Sequence, residues 1–103
     1  MFDVKQLQKM QKELSERMTK AQDDLKTKSV EGTSGGGIVT AMVNGAQELV
    51  SVKIKPEAID PEDPEMLEDL VVVAVNNALV KAKDLNQDEM SKITGGIKIP
   101  GLF

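Results

Sequence analysis

Neither cysteine nor histidine occurs among the 103 residues, and tryptophan and tyrosine are missing too. The first absence excludes disulfides, thiolate metal sites and cysteine nucleophiles. The second removes the side chain most used for proton transfer near neutrality and for zinc. Carboxylates remain, but none is grouped with a nucleophile. No enzyme is therefore expected, and no cofactor, metal or small-molecule substrate. Aromatic rings are confined to Phe2 and Phe103, so aliphatic residues and methionine must fill the interior. No apolar run approaches the roughly 20 residues of a membrane helix, and "MFDVKQLQKMQKE" is charged throughout, without a signal core. The expectation is a soluble cytoplasmic protein with no membrane partner.

Acidic residues outnumber basic ones, for a net charge of −4, yet the balance is uneven. Residues 1–28 hold seven Lys/Arg against five Asp/Glu, and the rest of the chain is acidic. One domain is expected at this length, with little margin of stability if it folds alone.

What is present falls into distinct periods. Val4, Leu7, Leu14, Met18, Ala21 and Leu25 recur at heptad spacing, broken only by Gln11, and no glycine or proline precedes Gly32. This predicts a helical arm over 1–26. Its stripe either packs on the protein's own sheet or projects and pairs with another helix as in a coiled coil. The second reading is preferred, because three short strands cannot cover a rod ~33 Å long.

Residues 27–55 change to period two. Val39, Ala41 and Val43 share one face of a strand, and Val50, Val52 and Ile54 one face of the next. Asn44-Gly45 between them predicts a two-residue type I′ hairpin pairing Val39 with Val50 and Val43 with Ala46. "TKSVEGTS" is expected as a polar edge strand, and the glycine cluster of Gly32, Gly35, Gly36 and Gly37, ahead of Ile38, as the turn that completes a meander. A phosphate-cradling loop would need a helix after the glycines and a Gly-Lys-Ser/Thr ending, and neither is there.

A long helix is predicted over 63–94, with Asp63 as N-cap and Pro64 at its first position. The acidic cluster ahead of it lacks the spacing and glycine of a calcium loop. Leu67, Leu70, Val71, Ala74, Ala78, Ala82 and Leu85 form one stripe, while "LVVVAVNNALV" is apolar almost all round. The surplus calls for cover, and a second copy of the chain is the economical one. The dimer interface is expected at Leu70, Val72, Val73, Val75 and Leu79. A short tail over 95–103 completes the chain.

The order helix, three strands, helix is α+β. The stretch "VEGTSGGGIVTAMVNGAQELVSVKIKPEAID", with "EMLEDLVVVAVNNALVKA" and the closing "PGLF", resembles the YbaB/EbfC family of nucleoid-associated proteins. The resemblance implies a tweezer-like homodimer in the cytoplasm and nucleoid that binds double-stranded DNA with low sequence specificity and without catalysis. DNA affinity rests chiefly on phosphate neutralisation. The residues expected to supply it are Lys5, Lys9, Lys12, Arg17 and Lys20 on the arm, with Lys81 and Lys83 on the long helix. Glu13 with Arg17, Glu16 with Lys20, and Lys20 with Asp24 stand four apart and are expected to pair. That leaves Lys5, Lys9 and Lys12 the least cancelled. Few base contacts are expected with a single arginine, and no single-strand stacking without aromatics. The competing reading is a non-enzymatic scaffold or protein-interaction dimer whose acidity repels DNA.

Overall fold

The computed structural model describes residues 3–95. Helix α1 spans Val4–Lys26. Asp3 caps it by accepting a 2.8 Å hydrogen bond from the Gln6 amide, and at the other end Thr27 donates its amide to Asp24 and Leu25. Three strands follow, β1 (Ser29–Ser34), β2 (Val39–Asn44) and β3 (Leu49–Ile54), antiparallel with β2 in the centre. A short 3-10 turn at Pro56–Ala58 leads to α2, Pro64–Gly95. Its first turn is held by the Met66 amide donating to Asp63 Oδ1. The element order is the one the periodicity predicts. The tail expected over 95–103 lies outside the described residues apart from Gly95.

The glycine cluster makes a turn between two strands, with φ of +61°, +75° and +98° at Gly35, Gly36 and Gly37. The β2–β3 connection differs from expectation. Asn44 and Gly45 do not form a two-residue turn with positive φ; the residue with positive φ is Gln47, at +64°. Asn44 donates its amide to the Glu48 carbonyl and accepts from the Gln47 amide, which closes a three-residue loop over 45–47. The Asn44 side chain braces this loop by accepting from the Ala46 and Glu48 amides, each at 3.0 Å. Register shifts accordingly. Val39 pairs with Ile54 and Ala41 with Val52, and an irregularity after Met42 puts Val43 opposite Leu49. Val50 therefore leaves the inner row and is 56% exposed.

The core is small. Val39, Ala41 and Val43 of β2 meet Ala74, Ala78 and Ala82 of α2, all fully buried. Helix α2 lies over β1 and β2 and hardly touches β3. It can sit this close because Gly32 on β1 has no side chain: a Cβ there would collide with the Ala78 amide nitrogen and the Ala74 carbonyl. Two helices that outrun their sheet make an elongated body, 70 × 23 × 17 Å.

Candidate nucleic-acid interface

Helix α1 is anchored at one end only. Leu25 is its one fully buried residue, Leu14 and Ala21 are half-buried, and Val4, Leu7, Met10 and Met18 are 40–68% exposed. Most of the stripe is thus uncovered in the single chain. The cations follow the same geometry. Lys5, Lys9, Lys12, Arg17 and Lys20 are all exposed. Among the described residues the ion pairs are Lys28–Glu89 and Lys92–Glu89, so the expected pairs along α1 do not form. Arg17 and Lys20 border a shallow depression that also includes Asp24, Glu89 and Lys92. Lys5, Lys9 and Lys12 stand farther out, where Asp3 at the cap is the one acidic residue before Glu13 among the described residues.

The two lysines on α2 differ from one another. Lys81 donates its ammonium to the Glu31 carbonyl at 2.9 Å, which ties α2 to the edge strand β1. Lys83 is exposed. Asn77 likewise donates to the Thr33 carbonyl at 3.0 Å, and Ser34 Oγ donates to the Leu70 carbonyl at 2.6 Å. These bonds place Leu70, Asn77 and Lys81 on the β1 flank of α2. At 3.6 residues per turn, Val72, Val75 and Leu79 fall on the opposite flank, above the inner face of β3. There the Asn86 side chain donates to the Gly45 carbonyl at 3.0 Å, in the β2–β3 loop. Val75, Leu79, Val52 and Ile54 are only half-buried, and Val72 is 56% exposed. The result is an apolar trough between α2 and β3. Of the five residues expected at a dimer interface, Val72, Val75 and Leu79 line this trough. Leu70 packs on the other flank, and Val73 points outward with Met66 and Val80.

Sequence reasoning missed the root of the arm. Lys28 bonds Glu89 at 2.9 Å, and Lys92 stands 3.5 Å from the same carboxylate. The hydrogen bond to Glu89 raises the Lys28 pKa above its ordinary 10.5, and the attraction between the charges adds to it. The same bond holds Glu89 below 4.5, against partial desolvation and with help from the charges of Lys28 and Lys92. Nothing in the spacing of Lys28 and Glu89, 61 residues apart, signals the pair.

A model of the YbaB/EbfC DNA-binding family matches residues 1–97. The chain is 52% identical over 100 residues to a nucleoid-associated protein of Pelotomaculum thermopropionicum, covering 97% of this chain and 91% of that one. It is 51% identical over 102 residues to a nucleoid-associated protein of Caldanaerobacter subterraneus, covering 99% and 92%. Its fold is similar to that of an uncharacterised Helicobacter pylori protein of known crystal structure, at a TM-score of 0.82 and 22% identity, over 92% of this chain and all of the other.

Proposed function

We infer, on the premise that the chain belongs to the YbaB/EbfC DNA-binding family, that two copies clasp duplex DNA between their α1 arms. The arms act as prongs in the cytoplasm, on the nucleoid, and the grip is electrostatic and indifferent to sequence. The observation that carries this reading is the arm itself. Lys5, Lys9 and Lys12 are exposed, hold no ion pair among the described residues, and sit on the part of α1 that projects from the body. Arg17, Lys20 and Lys83 are secondary contacts. Lys81 contributes less, since its ammonium already serves the Glu31 carbonyl.

A second copy suits the trough. Uncovered apolar surface beside a core made largely of alanine and valine favours burial against an identical partner across a two-fold axis. Two arms then bring six lysines to one duplex. If each neutralises a phosphate, the logarithm of affinity falls with the logarithm of salt at a slope of about −5. One arginine in the chain leaves little capacity for bidentate base recognition, so unrelated duplexes bind alike.

Gel-shift titration on two unrelated duplexes at two salt concentrations tests this. The expected outcome is equal, salt-sensitive retardation that is lost in the variant K5E/K9E/K12E while its helix content is unchanged. Retardation that survives those reversals overturns the assignment to the arm. A wild-type protein that retards no duplex even at low salt is instead a scaffold that does not bind DNA.

A further inference from the structure

We propose that Gly45, with Asn86 and Glu89, is the seat that sets the direction of the α1 arm. The inference rests on the reading of the arm as the DNA-binding prong. Three ties converge on the β2–β3 loop. The Gly45 amide lies within hydrogen-bond reach of two carbonyls at the root of the arm, Leu25 at 2.9 Å and Lys28 at 2.8 Å. The Leu25 carbonyl also accepts from the Lys28 amide at 3.2 Å, so the loop adds to the bonding that ends α1. The Gly45 carbonyl in turn accepts from Asn86 of α2 at 3.0 Å, and Lys28 is held by Glu89, three residues further along the same helix. One residue of a hairpin loop thus joins the root of α1 to the C-terminal half of α2.

The fit leaves no slack. A Cβ on Gly45 would lie 2.6 Å from Leu25 Cδ2 and 2.8 Å from the Leu25 carbonyl oxygen. Gly45 has no positive φ, so the demand for glycine here comes from close approach, not backbone conformation. Leu25 is the only residue of α1 that is completely buried, so the arm turns about this point. A rod held at one end magnifies any displacement of its root. Lys5 is about 30 Å from Leu25 along the helix, so a tilt of about 10° moves it by about 5 Å. That is more than the axial step between neighbouring phosphates of one strand, about 3.4 Å. Gly45, Asn86 and Glu89 touch no DNA in this scheme. They are positioning residues.

The test reads arm direction without DNA. The chain has no cysteine, so Q8C on the arm and N76C on α2, both at exposed sites, carry spin labels without competition. Labelled chains diluted into unlabelled ones report the distance within one copy. G45A is expected to shift or broaden that distribution by several ångströms, and N86A/E89Q to broaden it. Gel shifts of the unlabelled G45A protein should then show affinity at low salt about tenfold weaker, with the salt slope flatter by 1 to 2 as tip lysines leave their phosphates. A folded G45A protein with the wild-type distance distribution overturns the proposal, whatever its DNA affinity. Should G45A fail to fold, N86A/E89Q decides alone, and a wild-type distribution in that variant is equally fatal. An altered arm distance with wild-type DNA affinity overturns the link between arm direction and grip. Absence of DNA binding by the wild type defeats the reading of the arm as a prong while leaving the distance result intact.

Discussion

Gly32, Gly36 and Gly45 show one residue type meeting different constraints. Gly36 has a φ of +75° and open space around it, so replacing it adds only backbone strain. Gly32 has its face pressed on the backbone of α2 at Ala74 and Ala78. The expected outcome is that G36A costs about 1–2 kcal/mol, the ordinary penalty of a left-handed non-glycine residue. G32A costs about 3 kcal/mol or more, since β1 and α2 must separate and the alanine core opens. Urea unfolding of the two variants checks the order. A G32A protein as stable as wild type would mean that α2 does not sit where the buried alanines put it. Asn44 belongs to the same scale: only 7% exposed, it spends its carbonyl oxygen on two loop amides, so no buried polar atom is orphaned there.

The two helices owe their stability to different sources. Helix α2 is pinned along its length, by the alanine stripe beneath and by Asn77, Lys81 and Asn86 at its sides. Helix α1 depends on its cap at Asp3, on the root at Leu25 and on the Lys28–Glu89 pair. That pair has a pH window. Glu89 has a folded pKa below 4.5, so its contribution is present above that value and disappears as the pH falls through the folded one. Lys28 has a folded pKa above 10.5, so its contribution is complete below that value and disappears as the pH rises through the folded one. Thermal unfolding of wild type and E89Q should therefore differ at pH 7, with wild type the higher, and converge as the pH falls through the lowered folded pKa of Glu89. High salt narrows the gap, because Lys28 is 47% exposed. A gap that stays constant as the pH is lowered from 7 until the Glu89 carboxylate is protonated would show that Glu89 acts through packing and not through charge.

For the whole molecule the decisive feature is the asymmetric placement of α2, over β1 and β2 and away from β3. Hydrogen bonds draw the helix to the β1 edge and protect that edge from pairing with other strands. The same shift bares the trough beside β3. V72E places a carboxylate on the rim of that trough, at a position already 56% exposed in the single chain. The variant is expected to keep the helix content of wild type and to scatter light as one chain where wild type scatters as two. Its melting temperature should also lose dependence on protein concentration. A V72E protein that still scatters as two chains would move the interface elsewhere, with Val73, Val80 and Met66 on the outward face as the next surface to probe.

Much of this architecture was legible in the chain, because it is governed by rules that act over a few residues. The heptad from Val4 to Leu25 and the cap at Asp63-Pro64 required only neighbours along the chain. So did the row Val39, Ala41, Val43 and the turn at Gly35–Gly37. Contacts between distant segments decided the rest. The hairpin closes over Asn44–Glu48 rather than at Asn44-Gly45, and its Gly45 amide bonds Leu25 and Lys28 across the fold. Lys81 is engaged with a carbonyl 50 residues away, and Glu89 with an ammonium 61 residues away. Periodicity marked α2 as apolar on too many sides, but a one-dimensional pattern cannot say which side a sheet will take. That was settled by where β1 came to rest, since the helix could approach closely only over Gly32.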